Sequence, residues 1–355
     1  MVITMRELKF NQAIREALDL CLAKDPHAFL MGLGVPDPKG IFGTTLGLQE
    51  KYGPLRVTDL PTSENGMTGV AIGAAIMGMR PIMVYQRVEF ALLAMEQIVN
   101  QAAKWHYMFG GQYHLPIVFR IIIGRGWGQG PQHSQSLQSW FAHIPGLIVV
   151  MPTTAYDAKG LLIASIENPN PVVFLEHRWL HHIRGYVPEG VYRVPLDKAR
   201  VVREGRDVTI VATSYMVIEA LKAAEILSGL SLSAEVIDVR CLRPLDEDSI
   251  LESVRKTGHL LVVDIGWKTC GFAAEIVSLV VEKAFRDLKK APVRVASPDS
   301  PTPCTPALAN AFYPRAKDII GPVGEMFEMN ISETLRYQAE PELLDIPDPC
   351  FTGPF

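Results

Sequence analysis

The sequence predicts an α/β protein built from two doubly wound sheets. Three observations carry the prediction. Apolar runs of strand length recur along the chain, helix-length segments separate them, and a stretch without sustained period interrupts the alternation near the middle. Strands that run parallel need crossovers, and crossovers made of helices cover both faces of a sheet. With 355 residues and 48% hydrophobic content, the chain is long enough for two cores.

In chain order, residues 6–23 place Leu8, Ile14, Leu18, Cys21 and Leu22 at helical spacing, and residues 28–32 then read as a short buried strand. Further strands are predicted at 81–85, 116–123, 147–151 and 171–175, with helices at 64–79, 90–109 and 154–166. From Gly185 to Glu204, Pro188, Gly190 and Pro195 stand among mixed charges and mark a linker. The first unit is therefore expected over 1–185 and the linker over 186–203. A second alternating set gives strands at 208–212, 234–239, 260–265 and 293–296 and helices at 216–227 and 272–285, a unit expected over 204–325. Beyond Gly321 the sequence turns acidic and loop-like, and 326–355 reads as an extended tail docked on a neighbour.

Composition narrows the function classes. The net charge is −4 with acids and bases interspersed, so no basic patch argues for nucleic acid. The five cysteines are odd in number, far apart and without a C-x-x-C pair, which fits a reducing cytoplasm. The first ten residues already carry Arg6, Glu7 and Lys9, and the uncharged stretch 65–79 is short and glycine-rich. Neither a targeting signal nor a membrane span is expected. The nine histidines form no H-e-x-x-H arrangement, so no transition-metal site is expected.

Several segments could carry chemistry. Glu64, in Pro61-Thr62-Ser63-Glu64-Asn65-Gly66-Met67, puts a carboxylate at the start of a helix of small residues. Taken alone, it is an acid favoured by the helix dipole. Gly124-Arg125-Gly126-Trp127-Gly128-Gln129-Gly130 follows a strand, yet lacks both the G-x-G-x-x-G spacing and a Lys-Ser/Thr pair. It reads as a loop whose glycines permit unusual backbone angles. Gln132 and His133 come directly after it, where His133 is either a solvated bystander or a catalytic group. No G-x-S-x-G elbow is present, which removes the support for serine hydrolase chemistry.

Taken together, these segments resemble the β subunit of pyruvate and branched-chain 2-oxo acid dehydrogenase E1, in the transketolase-like superfamily. The likeness rests on ordered matches from residue 5 to about 320. They include Phe29-Leu30-Met31-Gly32, the run from Glu64 into Arg80-Pro81, Glu96-Gln97-Ile98-Val99-Asn100-Gln101-Ala102-Ala103-Lys104, and Gln132-His133-Ser134-Gln135-Ser136. Ala142-His143-Ile144-Pro145-Gly146, Pro171-Val172-Val173-Phe174-Leu175-Glu176-His177 and Leu242-Arg243-Pro244-Leu245-Asp246 follow.

The resemblance implies a transketolase-like pyrimidine-binding domain followed by a transketolase C-terminal-like domain. It also implies thiamine diphosphate with Mg2+ as cofactor. Glu64 then hydrogen-bonds the pyrimidine N1′ and favours the imino tautomer that acts as an internal base. Phe90 packs against the aminopyrimidine ring, and His133 helps bind the 2-oxo acid or moves protons.

In this superfamily the diphosphate and magnesium are held by a Gly-Asp-Gly motif and a later asparagine, and no Gly-Asp-Gly occurs here. An α-type chain is therefore implied to supply that half within an α2β2 assembly, with a lipoyl-E2 as acyl acceptor. Departures from the family pattern are Leu33 and Gly34, where an acidic pair is usual, and Arg87 and Trp127. With Gln132, the latter two are candidate substrate-pocket residues, although both could equally be surface substitutions. These departures leave two alternatives open: a split thiamine-dependent carboligase making an acyloin or ketol product, and a noncatalytic structural subunit.

Overall fold

The computed structural model describes residues 5–125, 128–331, 346 and 351. Its core strands are mostly apolar because both faces of each sheet are covered. In the first sheet, β2 (Ala28–Gly32), β4 (Arg80–Tyr85), β5 (Val118–Ile123) and β7 (Val172–His177) form the centre, with the short strands β3 (Val57–Thr58) and β6 (Ile148–Val150) near its edges. All six run parallel, in the order β6-β7-β5-β4-β2-β3. The crossovers are α1 (Phe10–Lys24), α2 (Leu48–Tyr52), α3 (Glu64–Ile76), α4 (Val88–Leu92), α5 (Ala103–Met108), α6 (Gln138–His143) and α7 (Ala155–Glu167). α1 packs closely on α7 through Phe10, Ile14, Ala17 and Leu18, which are wholly buried.

The second sheet has the order β14-β13-β10-β11-β9, from β9 (Arg200–Arg203), β10 (Val208–Ala212), β11 (Ala234–Asp238), β13 (Leu260–Trp267) and β14 (Val293–Ser297). Only β9 is antiparallel in it. Helices α8 (Met216–Gly229), α9 (Glu247–Thr257), α10 (Phe272–Ala284), α11 (Pro306–Phe312) and α12 (Ala316–Met326) accompany this half.

The structure corrects several expectations. The start of the predicted 6–23 helix is strand β1 (Met5–Lys9), which pairs antiparallel with β8 (Arg184–Pro188). The predicted linker 186–203 therefore begins inside one strand and ends in another, β9. The predicted 90–109 helix is broken into α4, a π-helical turn over Gln97–Ala102, and α5. Residues past Gly321 continue α12 to Met326 even with Pro322 inside it. The first sheet also gains a seventh strand from the second half of the chain: β12 (Cys241–Arg243) adds antiparallel to β6 and ties the halves together. The described tail residues lie on this chain itself. Ile346 O accepts a hydrogen bond from Arg315 at 2.8 Å, and the Phe351 ring lies against the Arg178 guanidinium.

Candidate active site

Strand β4 and helix α3 meet at their ends. The β3–α3 connection ends at Ser63, so Glu64 occupies the first turn of α3, where exposed N–H groups favour an acid. The Glu64 carbonyl accepts from Thr68 Oγ1 at 2.6 Å, and the same hydroxyl meets the buried Tyr85 phenol at 2.5 Å. Burial, more than the nearby Glu64 charge, pushes the Tyr85 phenol well above its ordinary range, so it stays a neutral hydroxyl.

A narrow cleft opens beside Glu64, lined by Leu60, Met67, Met83, Gln86, Phe90 and their neighbours. Phe90 comes from α4, directly after β4, so one strand end supplies one wall and the helix start supplies the carboxylate. Leu33 also lines this cleft, and its carbonyl accepts from Gln86 Nε2 at 2.8 Å. Gly34 next to it has φ +74°, and a Cβ there would come 2.5 Å from Gln86 Nε2. The turn therefore tolerates only glycine while Gln86 holds its place.

The lining suits a flat, apolar heterocycle with one ring nitrogen able to meet a carboxylate. It does not suit a diphosphate, since Glu64 is its only charged side chain and no lining residue is cationic.

His133 stands beside Phe90. The two rings are 5.9 Å apart and tilted by 42°. His133 Nδ1 contacts a carboxylate oxygen of Glu89, the residue before Phe90. Sequence reasoning missed Glu89. Its only signal was a charge inside the apolar run 88–92, and its partner lies 44 positions away.

The loop that carries His133 is stapled at its base. Gly124 N–H donates to Gln135 O at 2.8 Å, and Arg87 Nη1 donates to Gly124 O at 3.0 Å while Nη2 binds the Gln129 side chain. Arg125 reaches the opposite way, to Pro303 O at 2.8 Å and Cys304 O at 3.2 Å. Arg87 is thus a buried loop clamp, with 4% of its surface exposed, and not a surface substitution. Burial pulls its guanidinium down to about 10, against the support of the Glu89 charge. Arg178 is likewise lowered to about 9 by burial and by Arg87, and both guanidiniums lie over the Phe42 ring. His177 is pushed down to about 3 by burial first, then by His181, Arg87 and Arg178, which keeps it neutral.

Not every candidate converges here. Gln132 is exposed and lines a separate depression with Trp267, Thr269 and Asp299. Trp127 lies outside the described residues.

Residues 6–182 match the transketolase, pyrimidine binding domain family, and residues 197–319 match the transketolase, C-terminal domain family. The chain is 43% identical to the acetoin:2,6-dichlorophenolindophenol oxidoreductase subunit beta of Cupriavidus necator, over 88% of this chain and 96% of that one. It is 44% identical to the pyruvate dehydrogenase E1 component subunit beta of Rickettsia bellii, over 91% and 98% of the two chains. A mitochondrial pyruvate dehydrogenase E1 component subunit beta-2 of Oryza sativa is 44% identical, over 89% and 85%. Among solved structures, a split gene transketolase described as an inactive beta4 tetramer superposes with a TM-score of 0.74 at 22% identity. That match spans 91% of this chain and 99% of the other, and it shows a shared fold.

Proposed function

Because the chain belongs to the β-subunit family of 2-oxo acid dehydrogenase E1 enzymes, made of transketolase pyrimidine-binding and C-terminal domains, we infer that it is the β-type subunit of a heteromeric, thiamine-diphosphate-dependent, decarboxylating dehydrogenase. The observation that carries this reading is the cleft that joins Glu64 and Phe90 and contains no cation. It offers what an aminopyrimidine needs and nothing that a diphosphate needs.

When bound, thiamine diphosphate supplies the nucleophilic carbon that attacks a 2-oxo acid and accepts the electron pair released on loss of carbon dioxide. The residues of this chain act around it. Glu64 would accept the proton of a ring N–H or share its own with a ring nitrogen, which sets the tautomer of the bound heterocycle. Phe90 and Met67 would hold the ring by apolar contact and keep water from its face. His133, half-exposed beside Phe90, would bind the substrate or move a proton to and from it.

An α-type partner would bring the diphosphate and Mg2+ ligands, in an α2β2 arrangement, with a lipoyl-E2 as acyl acceptor. The unit 204–325 would chiefly support that assembly. The names of the relatives point to pyruvate or acetoin as first substrates to try.

The test is co-expression with a Gly-Asp-Gly chain, followed by assay with pyruvate or acetoin and 2,6-dichlorophenolindophenol as electron acceptor. Turnover by the pair, absent for either chain alone, supports the reading. Loss of that turnover by about 10²-fold or more in Glu64→Ala, with an unchanged unfolding midpoint, assigns the role to Glu64. Unchanged turnover in Glu64→Ala overturns it.

A further inference from the structure

We propose that Glu89 is the positioning residue for His133: its carboxylate takes the Nδ1 hydrogen of the imidazole and fixes the ring with Nε2 as the free acceptor. The inference rests on His133 working in the active site, as proposed above.

The geometry carries it in three steps. First, His133 Nδ1 contacts Glu89 Oε1, and the Glu89 side chain is only 12% exposed while that of His133 is 41% exposed. An ionised carboxylate accepts and does not donate, so Nδ1 must carry the hydrogen. A neutral imidazole with hydrogen on Nδ1 has its lone pair on Nε2. The acid therefore selects the tautomer.

Second, Glu89 is held in place by its own element. It lies in the first turn of α4, between Arg87, the cap residue, and Phe90, which lines the Glu64 cleft and touches the His133 ring. A movement of Glu89 would shift the cofactor wall and the histidine together.

Third, a buried cation lies near the acid. The buried Arg87 guanidinium feels the Glu89 charge and spends its donors on Gly124 O and Gln129 in the loop leading to His133. Glu89 Oε2 is buried and has no hydrogen-bond partner among the described residues. A buried carboxylate with one oxygen unpartnered is costly as a purely structural element, which fits a group kept for the histidine it orients.

The experiment is a double-mutant cycle in the complex with its α-type partner, assayed on the 2-oxo acid the wild-type complex turns over, starting with pyruvate. Glu89→Gln and His133→Asn are made singly and together, and kcat, KM and cofactor affinity are measured with unfolding midpoints. Glu89→Gln is expected to lower kcat about 10- to 100-fold, to change KM and cofactor affinity less than about threefold, and to cost nothing further once His133 is Asn. A structural role would instead give the same loss in both backgrounds, and that result overturns the inference while leaving the proposed function standing. Wild-type kcat in Glu89→Gln overturns it too. Wild-type turnover in His133→Asn removes the site reading and the inference together. Should Glu89→Gln not fold, Glu89→Asp carries the same test, since the charge remains on a shorter arm and its loss must also vanish without His133.

Discussion

Arg120 grips Glu176 with two parallel hydrogen bonds, Nε to Oε1 at 2.6 Å and Nη2 to Oε2 at 2.9 Å, and neither side chain is exposed at all. The two sit diagonally across β5 and β7, where Glu176 faces Ile122 and Arg120 faces Phe174. Burial is the largest single influence and works to raise the Glu176 carboxyl, but the Arg120 charge together with the hydrogen bonds from His181 and Arg120 outweighs it and holds the group below the usual carboxylate range. Removing one partner strands the other charge, so Arg120→Met should cost about 3–5 kcal/mol of stability. Arg120→Met with Glu176→Leu should recover most of it. Urea unfolding of the three proteins checks this, and equal losses in the single and double variants would show that the pair is not coupled.

Asp238 gives a pH prediction. Burial first, and the neighbouring Asp157 charge second, push its carboxyl up to about 7. The unfolded chain ionises this group near pH 4, so the folded form binds an extra proton between roughly pH 4 and 7. Its contribution is fully present below the unfolded value and is lost as pH rises through 7, at about 1.4 kcal/mol per pH unit. Asp238→Asn keeps an acceptor for the Arg240 N–H and should flatten that dependence. Its melting temperature should exceed that of the wild type at pH 8 and match it near pH 4.

Phe90 offers the cleft an aromatic face. Phe90→Ala should weaken thiamine diphosphate binding about tenfold or more, and Phe90→Leu by less, because part of the contact is apolar area and part is ring geometry. Titration of the cofactor into the assembled complex, followed by tryptophan fluorescence, measures both. Equal affinity in all three proteins would place the pyrimidine elsewhere.

Gly124 should tolerate no side chain. Its φ is +74°, and an added Cβ would meet His177 Nε2 at 2.3 Å. His177 cannot give way, since it is wholly buried and stacked on Tyr215 at 5.5 Å. Gly124→Ala should therefore cost about 1–3 kcal/mol from overpacking, with added backbone strain, and should reduce turnover by displacing the loop that Arg87 clamps. A thermal shift assay alongside the activity assay reads both effects.

The elements legible in the sequence were those whose signal is local. Strands β2, β4, β5, β7, β10, β11 and β13 are mostly apolar runs in which nearly every side chain is buried, β14 is a partly buried, mostly apolar run at the sheet edge, and α7, α8 and α10 carry enough apolar residues to be read at once. What escaped were pairings that no local pattern encodes. Strand β1 reads as the start of a helix because Leu8 runs into the helically spaced Ile14, Leu18, Cys21 and Leu22, yet its backbone bonds go to β8 some 180 residues later. Cys241–Arg243 is three residues long and becomes a strand only because β6 offers it an edge.

The site divides along the same line. By itself the sequence determined that a carboxylate opens a small-residue helix at Glu64, that an aromatic residue and a loop histidine follow at Phe90 and His133, and that no diphosphate motif is present, because these are statements about residue type and order. Only the tertiary structure decided that Phe90 both lines the Glu64 cleft and meets the His133 ring, that Arg87 is buried as a loop clamp, and that Glu89 faces His133. Those relations depend on side chains from β4, α4 and the 124–135 loop being brought within contact distance, and contact across tens of residues is fixed by packing, not by spacing along the chain.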